Sequence, residues 1–159
     1  TGEVMGIDTD FPAAFTKAHL ASGSKIPLEG TVFISVKDDD KDAVVPIAKK
    51  LVSLGFKLVS TQGTAAFLNE KSIAVEPVNK VRQGRPHIVD FMKDGKVHLV
   101  INTTRGSRSV SDSFSIRRTA LLSNIPYCTT MAGSKALLQA IEMTKNGKRL
   151  KPLSLQSFA

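Results

Sequence analysis

From Thr31 onward, short β-branched apolar runs alternate with stretches whose apolar residues recur at helical spacing. That alternation leaves few folds open. Thr31–Val36 reads as a first strand, set between Gly30 and the acidic run Asp38–Asp40. Over Asp40 to Leu54, Val44, Val45, Ile47, Ala48, Leu51 and Val52 keep a helical period, with Lys41, Lys49 and Lys50 off the stripe. Gly55 is placed to stop that helix, and Pro46 fits only within its first turns. Phe56–Ser60 reads as a second strand, and Gln62–Lys71 as a short helix with Ala65, Ala66, Phe67 and Leu68 inward. Ile73–Pro77 makes a brief third strand, Asn79–Pro86 a polar loop, and His87–Lys93 a helical turn or two. Val97–Ile101, almost continuously apolar, suits a strand buried on both faces. Thr103–Ser109 is a second polar loop, after which Ser111 or Asp112 caps a helix running to about Ser123. Ile125–Thr129 is the last core strand and Gly133–Lys145 the closing helix; the tail from Asn146 carries no assignment.

The order predicts an α/β fold: a mostly parallel sheet flanked by helices on both faces, a Rossmann-type three-layer architecture. Right-handed crossovers then bring the loops that follow the strands to one sheet edge. Residues 1–27 form a separate leader, with an amphipathic helix at Phe11–Ala21 and a linker at Ser22–Pro27, and residues 28–159 form the main domain. Beginning at Thr1, the chain reads as a piece of something longer.

The excess of 22 Lys and Arg over 14 Asp and Glu, a net charge of +8, draws phosphates, nucleotides, nucleic acid or anionic lipid. Cys128 is the only cysteine, so an intrachain disulfide and a Cys-rich zinc site are excluded, and a reducing cytoplasm is expected. No apolar run is long enough to span a membrane, and no secretory leader is seen. Arg105, Arg108, Arg117 and Arg118 offer charge to a nucleic acid, but one tyrosine and no tryptophan leave little for bases to stack on, and nucleic acid is not expected as a partner. His19, His87 and His98 are scattered, Asp90 and Asp112 lack a His or Ser partner at useful spacing, and no metal-ligand spacing appears, so neither a catalytic residue nor a metal ligand is assigned.

Two loops carry the chemistry. Thr61–Thr64 (TQGT) leaves a strand and opens a helix, offering free N–H groups, two hydroxyls and a glycine that permits close approach. It lacks the Gly-Lys-Ser/Thr ending of a nucleotide-hydrolysing loop. Asn102–Thr104 (NTT) holds the matching place after Val97–Ile101. Lys41, near the start of the helix after the first strand, and Lys80, in the loop after the third, point to the same edge. Hydroxyls plus lysines suit a phosphate monoester.

TGEVMG (Thr1–Gly6), KLVSLGFKLVSTQGTA (Lys50–Ala65), VNKVRQGRPHI (Val78–Ile88), VINTTRG (Val100–Gly106) and SIRRTAL (Ser115–Leu121) closely resemble the end of the large subunit of bacterial glutamine-dependent carbamoyl-phosphate synthetase. The resemblance covers nearly the whole chain and implies a methylglyoxal-synthase-like fold. It implies a non-catalytic, allosteric domain that binds nucleotide effectors: uridine monophosphate as inhibitor, inosine monophosphate as activator, and ornithine as a further activator. By the same resemblance Lys41, Thr61, Gly63, Thr64, Lys80, Asn102 and Thr104 surround the nucleotide phosphate, Asp112 meets ribose or base, and Tyr127 and Thr129 meet ornithine. Residues 1–27 would end the second ATP-grasp unit. The segment itself needs no cofactor. The parent would be an ATP-dependent ligase using Mg2+ or Mn2+, partnered by a small glutamine amidotransferase subunit and serving pyrimidine and arginine biosynthesis in the cytoplasm. A lyase or cyclohydrolase on the same fold is the alternative; it needs a catalytic carboxylate beside the cradle. TRGSRS (Thr104–Ser109) stands where a methylglyoxal synthase carries its Gly-Asp motif.

Overall fold

The computed structural model describes residues 3–158, the side chains of 106–112 excepted. Five strands, β1 (Thr31–Ser35), β2 (Lys57–Thr61), β3 (Glu76–Val78), β4 (Leu99–Asn102) and β5 (Tyr127–Cys128), run parallel in the order β3-β2-β1-β4-β5. Central β1 pairs Phe33 with Val59 on one side and with Val100 on the other. Every residue of β4 is buried, as a strand covered on both faces requires.

Alternation along β1 sends Val32 and Ile34 to one face and Phe33 to the other. The first face packs with Val44, Ile47 and Leu51 of α2 (Lys41–Ser53), Ala65 and Leu68 of α3 (Gln62–Glu70), and Leu137 and Ile141 of α6 (Met131–Lys145). The second packs with Ile88, Val89 and Met92 of α4 (Ile88–Lys93) and Ile116 and Ala120 of α5 (Gly106–Leu122). These are the three layers expected. The leader helix α1 (Phe11–Ala21) starts where the Asp10 carboxylate accepts the Ala13 N–H at 2.9 Å, and it lies against α6. Across that contact Lys148 pairs with Asp10, and Lys145 Nζ donates to the Leu28 carbonyl at 2.6 Å.

Three local readings are corrected. α5 begins at Gly106, not after a loop ending at Ser109, so Asp112 sits inside the helix and its side chain lies outside the described residues. On α3, Ala66 is exposed while Thr64 is buried beside Ala65 and Leu68. A polar residue was passed over there because its hydroxyl is satisfied by backbone, as described below. β3 is displaced to Glu76–Val78, because the Asn69 side chain clamps Val75 on the run before it, meeting Val75 N and O at 3.1 Å each. Ile73 and Val75 are still buried, as their apolarity demands.

Burial pushes the Cys128 thiol up to about 11, against a weaker pull from Ser134. A thiol held protonated and 9% exposed is a poor nucleophile. The native chain at pH 8 should therefore react with a maleimide far more slowly than the urea-unfolded chain, read as mass added over time.

Candidate functional site

The chain passes from β1 outward to β2 and β3, then crosses back to β4 on the other side of β1. Neighbouring strand ends at such a reversal leave a crevice at their carboxyl termini. A cavity of about 350 Å³ opens there, lined by residues from the ends of β1, β2 and β4, the loop after β3, and α5.

Hydroxyls knit its wall. Thr103, buried after β4, receives the Lys37 N–H on its Oγ1 at 3.1 Å, while its own N–H donates to the Ser35 carbonyl at 3.1 Å. Ser35 Oγ and Thr61 Oγ1 lie 3.2 Å apart, joining β1 to β2. Thr64 Oγ1 accepts the Val36 N–H at 3.4 Å, which explains its burial. Because Thr61 is the N-cap of α3 but its side chain makes no capping bond, the first-turn N–H groups of α3 have no side-chain acceptor among the described residues. Gly63 leaves that turn open: nothing lies within 4 Å of where a Cβ would stand.

Thr61, Lys80, Asn102 and Thr104, four of the residues singled out from sequence, line the cavity. Gly63 and Thr64 stand on the adjoining helical turn without lining it. Lys41 does not line the cavity; its Nζ lies 2.8 Å from Asp38, which does, and 5.7 Å from the Phe67 ring centroid. Tyr127 is one layer behind, its hydroxyl accepting from Asn102 Nδ2 at 3.2 Å, and Thr129 is exposed beyond the end of β5.

Thr103, the middle residue of the Asn102–Thr104 loop, lines the cavity as well, while sequence reasoning missed Ser35 and Lys37 as lining, and the place of Arg117. Ser35 and Lys37 end the first strand at the same edge as the two loops, a position that topology alone could have flagged. Arg117 donates from Nε to Tyr127 Oη at 3.0 Å and from Nη2 to Thr104 Oγ1 at 3.4 Å, with its guanidinium 5.9 Å from the Tyr127 ring centroid. Its cue was a charged residue on the stripe of α5 that carries Ile116 and Ala120.

The rim is electrically mixed. Lys37 Nζ is 3.9 Å from both Asp39 and Asp40, and Arg105 Nη1 is 2.8 Å from Asp39, joining the two lips of the cavity. Asp38, hydrogen-bonded by Lys41, is held below the usual carboxylate range. Lys80 and Arg117 have no carboxylate partner among the described residues. Within those residues no three His, Cys, Asp or Glu side chains gather where a metal ion could be held. Nor, among the described residues, is any helix long and apolar enough to cross a membrane. The cavity thus offers hydroxyl and amide groups and unpaired cationic charge, with the open N–H groups of α3 on the adjoining turn, a set suited to an oxyanion.

A family model described as MGS-like domain matches residues 43–129. The carbamoyl phosphate synthase large chain of Rhizobium meliloti (strain 1021) is 48% identical over 99% of this chain, which spans 14% of that relative's length. The C-terminal section of the same large chain from Methanopyrus kandleri is 52% identical over 91% of this chain and 27% of its own. Among solved structures, methylglyoxal synthase from Elizabethkingia anophelis NUHP1 superposes with a TM-score of 0.59 over 71% of this chain and 79% of its own, at 17% identity, a likeness of fold. With more than half of its residues, including the second and fourth strands and both polar loops, inside the matched span, the chain belongs to the MGS-like domain family.

Proposed function

We propose that this chain is the regulatory domain of a carbamoyl phosphate synthase large chain, and that its cavity binds the phosphate of a mononucleotide effector. The convergence of Thr61, Lys80, Asn102 and Thr104 on one cavity at the strand reversal carries this reading. A monophosphate brings about −1.5 to −2 charges and three acceptor oxygens, which matches a wall of hydroxyls, an amide and unpaired lysine and arginine. Uridine and inosine monophosphates are the effectors proposed, and ornithine a further ligand near Tyr127 and Thr129. The proposed parent takes ATP with Mg2+ or Mn2+, works with a small amidotransferase subunit, and feeds pyrimidine and arginine synthesis in the cytoplasm. Regulation follows by linkage: an effector that binds one global state of the parent better shifts the population by that difference, about 1–3 kcal/mol.

The lyase alternative draws on one observation, the presence of Asp38 and Asp39 at the cavity. Both are engaged, Asp38 with Lys41 and Asp39 with Arg105. A carboxylate held below its usual range is a weak base at neutral pH. Turnover of dihydroxyacetone phosphate by the chain would reverse this preference.

Calorimetric titration with uridine and inosine monophosphates tests the proposal. Lys80→Ala and Thr104→Ala should each weaken binding by about 1–3 kcal/mol. Unchanged affinity in both would move the ligand out of this cavity. Thr64→Ala should act indirectly, by releasing the Val36 N–H from its hydroxyl.

A further inference from the structure

We propose that Arg117 is a positioning residue of the cavity: it turns the Thr104 hydroxyl into a donor aimed at a phosphate and adds a positive charge that no carboxylate among the described residues pairs with. The inference rests on the phosphate reading above and extends it to a residue behind the wall.

Arg117 is half-buried on α5. Its contacts are two hydroxyls and one aromatic ring, those of Thr104 and Tyr127. A guanidinium taken partly out of water is ordinarily matched by a carboxylate. Here none pairs with it among the described residues, although Asp38 and Asp39 line the same cavity and pair with Lys41 and Arg105 instead. The field of Arg117 is therefore left for something that enters the cavity.

Hydrogen-bond direction makes the link specific. A guanidinium only donates, so Thr104 Oγ1 must accept from Arg117. The hydroxyl proton of Thr104 then needs another acceptor, and its side chain has no further hydrogen bond among the described residues. Since Thr104 lines the cavity, a phosphate oxygen there would take that proton. Tyr127 holds the arrangement from behind. Its oxygen accepts from Arg117 Nε and from Asn102 Nδ2, tying the guanidinium and a second lining side chain to one point. A fork with several fixed donors does this where a lysine ammonium would supply charge without the geometry.

The test is uridine monophosphate titrated into the 159-residue chain and its variants. Arg117→Gln should weaken binding roughly tenfold or more. Arg117→Lys should recover part of that loss, because charge returns without the fork. Thr104→Val should cost affinity in the parent chain and next to none in the Arg117→Gln background, because the two residues act as one unit. Should Arg117→Gln fail to fold, the same cycle runs with Arg117→Lys. Full additivity of the two changes would overturn the proposal. So would intact affinity in Arg117→Gln while Lys80→Ala loses it. If Lys80→Ala and Arg117→Gln both bind as tightly as the parent, the phosphate reading of the cavity falls first and this inference with it.

Discussion

Gly30→Val is expected to destabilise the chain by about 2–4 kcal/mol, from backbone strain together with a disrupted hydrogen bond to the exposed His98 ring. Gly30 sits at φ +108°, where a β-branched residue is strained whatever space surrounds it. Space is lacking as well, because a Cβ would run into the His98 ring. That ring cannot simply swing aside: His98 Nδ1 accepts the Thr31 N–H at 3.1 Å, and the His98 N–H donates to the Thr31 carbonyl at 2.8 Å. The entry to the central strand is thus pinned through one imidazole on the residue that precedes β4. Gly55→Val is the control. At φ +89° with nothing within 4 Å of its Cβ position, it carries the strain without the collision. Urea unfolding should place Gly30→Val well below Gly55→Val, and equal midpoints would remove His98 from the explanation.

Phe33→Ala should cost about 3–5 kcal/mol, the range for deleting a fully buried aromatic ring. Phe33 is 0% exposed at the middle of the sheet, on the face covered by α4 and α5. Its neighbours Val59 and Val100 belong to paired strands and cannot close the gap without breaking register. The loss should reach the cavity too, because Ile116 packs in the same cluster and also lines the site. Weaker uridine monophosphate binding should accompany the lower unfolding midpoint. Val52→Ala, at a 41% exposed position of α2, should stay within about 0.5 kcal/mol.

The layers were legible because both periods are written plainly in the chain. Val32 to Ile34 and Leu99 to Ile101 could only be buried strands, and α1 falls at Phe11–Ala21 as its apolar spacing implies. The strand-to-helix loops at Thr61 and Asn102 were readable for the same reason, since a parallel sheet must collect them at one edge. What escaped was decided by side-chain partners that no spacing rule encodes. Lys41 follows the right strand but is taken by Asp38 and Phe67. The serine-rich start of α5 looks like loop by propensity, yet the helix continues back to Gly106, an override of a weak local preference. Arg117, read as one of several surface cations, faces inward because Thr104 and Tyr127 give it somewhere to go.

The two outermost strands have a consequence for how this domain keeps company. One ends the sheet with only two residues, and the other offers three, one of them Pro77, which has no N–H to give. Fibril-like stacking or capture of a foreign β-segment needs a longer row of open backbone groups. A binding partner must therefore approach through helical or loop surfaces, and the sheet stays a closed interior framework even when the domain is produced alone.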